Sequence, residues 1–389
     1  MNFRGGIMLR AAALIISAVV LLAAASAASA AAPQAIRTHA VAPKPDYQWN
    51  SYIAPPATAI CIHFPPSMPL WKAELLINYA KDLGAQYIRF DVRWNVVEPK
   101  KGVFNMTALA RYKHIIEYME SLGIYPIVIV GTGIPGWASG LLSSNLIVHQ
   151  DEFLKYAQEY AAKVSKYLGY EVFYYQLGNE LNHLNHALFY LNGLAAKYIA
   201  ALGKGVGEGN PYYIGIVNVF ADIIGWTNTL ESWIKASGKY FDIIAIDHYP
   251  GTWSPTSFSD WSPLTQLINI ADKYGKIPAI METGYSTWFP WFPIYANEQN
   301  QVKYINQAFP AILNIAQKHY VAFLSWYELI DEPQASGLPE EKHFGVLHAD
   351  LTKKPAYNTL KEWFHEIDNF QSPYVAYGGR LPVAEGVPG

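Results

Sequence analysis

The sequence predicts a single (β/α)8 (TIM) barrel, and three observations carry that reading. Short apolar runs alternate with amphipathic stretches at roughly 30 to 50 residues per unit through most of the chain. Eight such runs follow one another with no linker-like segment between them. Polar and charged residues gather at the carboxyl ends of the runs, where a barrel of this kind places its working groups.

The strands are predicted at Ala59–His63, Tyr87–Arg93, Tyr125–Val130, Phe173–Leu177, Tyr212–Val219, Ile243–Tyr249, Ala279–Glu282 and Val321–Tyr327. Between them, apolar residues recur at three- and four-residue spacing over Leu70–Leu83, Ala108–Leu122, Glu152–Leu168, Ala187–Leu202 and Gln299–His319, which predicts helices. Gly84, Gly123, Gly169 and Gly275 each close a helical stretch, because glycine accepts the left-handed conformation that ends many helices. A last helix, Ala356–Ile367, starts just after Pro355. The barrel is assigned to residues 57–370, and residues 371–389 read as a C-terminal tail.

The segment ahead of the barrel reads as an export signal over residues 1–31. Arg4 and Arg10 form a basic start, Ala11 to Ala25 is apolar, and Ala28-Ser29-Ala30 has the small residues of a cleavage site. The competing reading is an uncleaved N-terminal anchor, since the apolar stretch continues to Ala32. Its many Ala and Ser residues make a poor membrane span, which favours cleavage and a secreted protein. Residues 32–56 are rich in Pro and Ala and read as a linker or arm. Cys61 is the only cysteine, so no intrachain disulfide is possible and the core alone must hold the fold.

A formal net charge of −3 gives no electrostatic reason to expect nucleic acid or an anionic membrane as partner. Apart from the possible anchor no membrane partner is expected, and the chain is expected to be a monomer. The 28 Tyr, 17 Phe and 12 Trp include rings able to stack on sugars, but aromatic rings also fill cores. Composition therefore favours a carbohydrate ligand only weakly.

The chemistry is more specific. Gly178-Asn179-Glu180 closes the apolar run from Val172 to Leu177, and Glu282 closes Pro278-Ala279-Ile280-Met281. Hydrolysis of a glycosidic bond needs two carboxyl groups in such positions. One holds a proton for the leaving oxygen, and the other stays ionised at the anomeric carbon. A lone glutamate of this kind is more often a solvated loop residue or half of an ion pair; two at matched strand ends reverse that balance. In the second strand, Ile88, Phe90 and Val92 share one face while Arg89, Asp91 and Arg93 share the other. Helices cover the outside of a barrel, so the charged trio faces inward, where unpaired charge is expensive.

On these residues the chain resembles glycoside hydrolase clan A, the retaining (β/α)8 glycosidases, from Ala59 to Ile367. The resemblance implies that Glu180 is the acid/base, that Asn179 holds the sugar 2-hydroxyl, and that Glu282, in Met281-Glu282-Thr283-Gly284-Tyr285, is the nucleophile. It also implies that Arg89, with Trp94 five residues on, supports the nucleophile, and that Trp326 floors the central sugar subsite. Glu98-Pro99-Lys100-Lys101-Gly102-Val103-Phe104 resembles a stretch found in several clan members. Pro135-Gly136-Trp137-Ala138 is similar to family thirty-nine. Glu282-Thr283-Gly284-Tyr285 and Asp247 to Trp253 are similar to the galactanases of family fifty-three and some enzymes of family five. Where family five often has His-x-Tyr at the end of strand six, this chain has Asp247-His248-Tyr249. Tyr249 is therefore the candidate hydroxyl beside the nucleophile, and His248 a further candidate contact.

Trp137, Trp253, Trp288 and Trp291 follow strands and are candidate sugar platforms. Several together suggest an extended cleft. The resulting expectation is a secreted retaining β-glycoside hydrolase acting on a polysaccharide or oligosaccharide. An endo-β-1,4-glycanase of cellulase, xylanase, mannanase or galactanase type leads, with an exo-acting β-glycosidase of the same clan as alternative. No cofactor and no metal are expected. Two readings from other classes were weighed against it. Glu180-x-x-His183-x-x-His186, with His63 ending strand one, has helix-compatible spacing for a metal-dependent hydrolase, but strand one lacks the His-x-His of amidohydrolase barrels. A barrel that binds glycans without cleaving them would have lost a carboxylate, and both are present.

Overall fold

The computed structural model describes residues 53–370, apart from 145–148, 184–185, 187–192, 254–255, 290–295 and 336. The export signal, most of the arm, the C-terminal tail and Trp291 lie outside the described residues. Eight parallel strands close into a barrel in sequence order: β1 (Ala57–Cys61), β2 (Tyr87–Asp91), β3 (Tyr125–Val130), β4 (Tyr174–Leu177), β5 (Ile214–Phe220), β6 (Ile243–Asp247), β7 (Ile277–Thr283) and β8 (Phe323–Trp326). Around them run α1 (Leu70–Leu83), α2 (Trp94–Val97), α3 (Met106–Ser121), α4 (Gly136–Ser144), α5 (Gln150–Leu168), α6 (Leu194–Gly209), α7 (Trp226–Ser237), α8 (Ser262–Tyr274), α9 (Glu298–Ala316) and α10 (Pro355–Asn369). Among the described residues no helix is long and apolar enough to cross a membrane.

The barrel interior changes character from bottom to top. Near the amino ends of the strands, Tyr87, Tyr174 and Phe323 pack edge to face at ring-centroid distances of 5.0 to 5.7 Å and plug the barrel. Ala59, Ile127, Ile216, Ile243 and Ala279 belong to the same buried cluster. One pleat higher, the inward positions become Arg89 on β2, Gln176 on β4 and Ser325 on β8. Polar groups are thus buried only where they can pair with one another, above a dry plug.

Strand alternation decides which side chains reach this interior, and one irregularity overrides it. On β7, Ala279 and Met281 point inward, so strict alternation would send Glu282 out toward the helices. The registers of β6 with β7 and of β7 with β8 both shift at this point, bringing Glu282 opposite Asp247 and Thr283 opposite Trp326. A bulge of this kind re-aims a side chain. Here it turns Glu282 inward.

The largest difference from the predicted helices is at α6, expected to stop at Leu202 but continuing to Gly209. Its glycines do not end the helix; they let it lie against α5. A Cβ on Gly205 would come within 2.2 Å of the Gln158 carbonyl oxygen, and one on Gly209 within 2.1 Å of the Ser165 hydroxyl. Close packing repays the weak helix propensity of glycine. By contrast Gly84 and Gly275 do cap α1 and α8 in the left-handed conformation, as expected.

Candidate active site

Glu282 is held from two sides. Arg89 Nη1 donates to its Oε1 at 2.6 Å, and the Tyr249 hydroxyl donates to its Oε2 at 2.6 Å. Burial and the surrounding carboxylates keep the Tyr249 hydroxyl well above the usual phenol range, so it remains a donor. Arg89 is itself fixed by every edge of its guanidinium. Nε donates to Gln176 Oε1 at 2.7 Å, Nη2 to Asn179 Oδ1 at 2.7 Å, and Nη1 also to Cys61 Sγ at 3.3 Å. Burial pushes the Cys61 thiol up to about 11, so it stays neutral beside the ion pair.

Glu180 arrives by a sharp turn after β4. Gly178 has φ 82° and Glu180 itself has φ 45°, a left-handed conformation that costs a glutamate about 1–3 kcal/mol. The turn is held because Glu180 N–H donates to Asn218 Oδ1 at 3.1 Å and Gln176 Nε2 donates to the Gly178 carbonyl at 2.8 Å. Asn179 Oδ1 accepts from Arg89, Gln176 and Asn218 together. With its oxygen saturated, the Asn179 amide is left to present N–H donors, the right polarity for a sugar hydroxyl.

A third carboxyl group, Asp247, joins the two glutamates. One oxygen from each of Glu180, Asp247 and Glu282 lies within 4.8 Å of the others. So close an approach of Glu180 and Glu282 is the arrangement that a retaining pair, with carboxyl groups roughly 5–5.5 Å apart, requires. Burial first, then the neighbouring negative charges, holds Glu180 and Asp247 well above the usual carboxylate range. Glu282 has the only guanidinium among the described residues that touches the three. The site therefore gives its cation to Glu282, while Glu180 and Asp247 favour the protonated form.

Glu180 and Glu282 line a cavity of about 1090 Å³ at the carboxyl end of the barrel, with Asp247 buried beside them. Beyond β1, β2 and β8 its wall is charged. His63 Nδ1 is 3.2 Å from Asp91 Oδ1, Arg93 Nε is 3.7 Å from Asp91 Oδ2, and Glu332 lies beside them. Burial pulls the His63 imidazole down, but Asp91 and the other carboxylates outweigh it and raise it to about 9. Beyond β5 and β6 the wall is apolar, with Phe220, Ile223 and Trp253. Tyr327, immediately after β8, also lines the cavity, and its hydroxyl is 3.4 Å from Glu341 Oε2. Burial and Glu282 raise Glu341 to about 7.

Glu180, Glu282, Asn179, Arg89, Tyr249 and Trp253 are thus brought together, whereas four other expected residues are not. Trp326 is 0% exposed and packs outside the barrel against Tyr304 and Phe309 of α9. Its partner across the strands is Thr283, also outward, so the cavity side at this level belongs to Tyr327. His248 faces outward for the same reason. Its Nδ1 meets Asp222 Oδ1 at 2.7 Å and its Nε2 the Asp260 carbonyl at 2.9 Å, tying three loops together. Trp137 donates to the Glu98 carbonyl at 3.1 Å and packs on Trp94 and Tyr156, bracing the loop after β3. Trp288 is exposed beside His343 and is not part of the cavity wall. The stretch beginning at Glu98 is structural as well, its carboxylate accepting from Trp94 Nε1 and Gly102 N–H, both at 2.8 Å.

Gln176, Asn218, Asp247 and Tyr327 were not anticipated as site residues. The first three were findable: each is a polar residue at an inward position of an otherwise apolar strand. Two groups of potential metal donors exist among the described residues, the three central carboxyls and His63 with Glu328 and Glu332. In the first, Arg89 is already paired with Glu282, and in the second the His63 imidazole is hydrogen-bonded to Asp91. His183 and His186 belong to neither group.

The family model described as Glycosyl hydrolases family 35 matches residues 58–208. Beta-galactosidase 7 of Oryza sativa subsp. japonica is 23% identical over 285 residues, covering 68% of this chain and 33% of that protein. The chain thus spans about a third of that relative's length. Among solved structures, GH5_18 from Streptomyces cattleya in complex with GlcNAc is similar with a TM-score of 0.64 at 14% identity, over 81% of both chains. The exo-beta-1,4-mannosidase Op5Man5 from Opitutaceae bacterium strain TAV5 gives a TM-score of 0.63 at 17% identity, over 83% of this chain and 61% of that one.

The positions of Trp326 and Tyr327 make opposite predictions for two neighbouring residues. Trp326→Ala empties a buried site and should cost about 3–5 kcal/mol of stability, read as a fall in denaturation midpoint. Tyr327→Ala, at a half-buried position, should cost less stability than Trp326→Ala but lower kcat/KM by about tenfold, the worth of one aromatic contact to substrate. The reverse pattern in melts and kinetics would restore Trp326 to the cavity.

Proposed function

We propose that the chain carries a clan A glycoside hydrolase barrel and is a retaining, exo-acting β-glycosidase, a reading supported by the family model, the curated relative and the fold. One observation carries the mechanism: Glu180 and Glu282 are within reach of the same anomeric centre, yet only Glu282 is paired with a cation. Glu282 attacks the anomeric carbon while Glu180 gives its proton to the leaving oxygen. Glu180, now ionised, takes a proton from water, whose oxygen displaces Glu282 and restores the free enzyme. Arg89 and Tyr249 keep Glu282 ionised before attack and accommodate its negative charge again after release. Asn179 N–H donates to the sugar 2-hydroxyl.

Exo action is supported by the two unlike walls. The acid/base must stand on the leaving-group side. Glu180 follows β4, so the leaving group lies toward Phe220, Ile223 and Trp253 beyond β5 and β6. The glycone lies opposite, against His63, Asp91, Arg93 and Glu332. Charged groups there can hydrogen-bond the hydroxyls of a terminal sugar, including the one that an internal unit uses for its linkage. The expectation of an endo-acting cleft rested on loop tryptophans, and of those described only Trp253 lines the cavity. The basic start and small-residue cleavage site of residues 1–31 support action outside the cytoplasm.

Two measurements test this reading. With an activated aryl glycoside, Glu180→Ala should accumulate glycosyl-enzyme, and added azide should release it as the β-glycosyl azide. Glu282→Ala should give the α-azide, because azide enters the space left by the carboxylate. Azides of the opposite anomeric form would exchange the two roles. Separately, a β-linked oligosaccharide labelled at its reducing end should shorten by one sugar at a time. Early appearance of mid-length products would mean endo action.

A further inference from the structure

Asp247 has no part in the double displacement as just described, yet it occupies its centre. It ends β6, is 0% exposed, and reaches within 4.8 Å of both glutamates. Its Oδ2 accepts from Asn218 Nδ2. Among the described residues no N–H or hydroxyl donates to its Oδ1. The group placed to satisfy that oxygen is the carboxyl of Glu180, one oxygen of which lies within 4.8 Å of an Asp247 oxygen. Two carboxyl groups in contact form a hydrogen bond only when a proton lies between them.

We propose that Asp247 is a positioning residue that shares the catalytic proton with Glu180, so that the acid/base of this enzyme is a carboxyl pair. The inference rests on the retaining reading given above. At rest the pair holds one proton and one negative charge, Glu282 is ionised, and Arg89 carries the opposing charge. In the first step the proton leaves Glu180 for the glycosidic oxygen, the bond from that oxygen to the anomeric carbon breaks, and the bond from Glu282 to that carbon forms. The pair then carries two negative charges, but Glu282 has become a neutral ester, so the net charge of the site is unchanged. In the second step a water proton returns to the pair, the water oxygen bonds to the anomeric carbon, and Glu282 leaves as a carboxylate. Asp247 thus raises the proton affinity of Glu180 in the free enzyme and makes it a stronger base in the intermediate.

The groups facing the pair from each surrounding element are few. They are Glu282 on β7, Arg89 on β2, Tyr249 after β6, Cys61 on β1, Asn218 on β5, His183 after β4, and Tyr327 and Glu341 after β8. Tyr249, Tyr327 and Cys61 are all raised and stay neutral across the working range. Burial lowers His183, which keeps it neutral there as well. Glu341, raised to about 7, is the one neighbour that titrates near neutrality and contributes its own inflection.

The test is the pH profile of kcat/KM for Asp247→Asn, with folding checked by thermal melt. Removing the negative neighbour lets Glu180 lose its proton earlier, so the alkaline limb should move down by about one pH unit or more. The loss of rate should be about tenfold greater for an alkyl glycoside, whose departure needs the proton, than for a dinitrophenyl glycoside. Asp247→Ser, smaller and equally neutral, should shift the limb the same way, while Asp247→Glu should return it toward the parent position. An alkaline limb that stays in place in a folded Asn or Ser variant overturns the shared proton, as does an equal loss for both leaving groups. If the azide products behave as described above while the limb does not move, only this inference fails; if the azide products fail, the retaining reading fails with it.

Discussion

One guanidinium facing three buried carboxyl groups is the constraint from which the chemistry of this site follows. Arg89 compensates a single negative charge, and its 2.6 Å contact gives that compensation to Glu282. Ionising all three carboxyls would place three like charges within a few ångströms in a poorly solvated site against one cation. The second and third carboxyls therefore keep a proton between them. The opposite protonation states that glycoside hydrolysis requires arise from the count of charges as much as from the identity of each residue. Replacing Arg89 would remove the asymmetry and strand buried charge, a costly change in any barrel.

The fold works to keep that guanidinium in one place. A plug of Tyr87, Tyr174 and Phe323 fills the barrel below it. Gln176, Asn179 and Cys61 occupy the remaining edges of Arg89. Asn218 links Asn179, Glu180 and Asp247, so the turn carrying Glu180 and the strand carrying Asp247 are braced by one side chain. The left-handed backbone at Glu180 is the strained point of the network, and it is where the acid/base side chain is aimed at the cavity.

Much of this was legible in the sequence, and the failures share a cause. Arg89, Glu180 and Glu282 stood out because charge inside or at the end of an apolar run has few innocent explanations. The closed eight-strand barrel followed from the rhythm of the chain. Trp326 and His248 were misplaced because their strands were drawn past their true ends and the alternation was not counted from a fixed inward residue. Counting from Phe323 puts Ser325 and Tyr327 inside and Trp326 outside; counting from Ile243 selects Asp247 and Tyr249 over His248. The same count applied to β7 would have sent Glu282 outward, since the bulge that turns it in has no signature in Met281-Glu282-Thr283. The length of α6 was missed because a run of glycines ordinarily ends a helix, and only the proximity of α5 explains their use here.

The central claim is that Glu282, paired with Arg89, is the carboxylate that bonds to the sugar. Incubation with 2-deoxy-2-fluoro glycosides bearing an activated leaving group, in gluco, galacto and manno configurations, should trap that bond, because the fluorine slows release more than attack. Proteolysis and mass spectrometry of the trapped protein should then find one fluorosugar on the peptide containing Glu282. A label on Glu180 or on Asp247, or steady turnover of an accepted fluoroglycoside with no covalent adduct, would contradict the account.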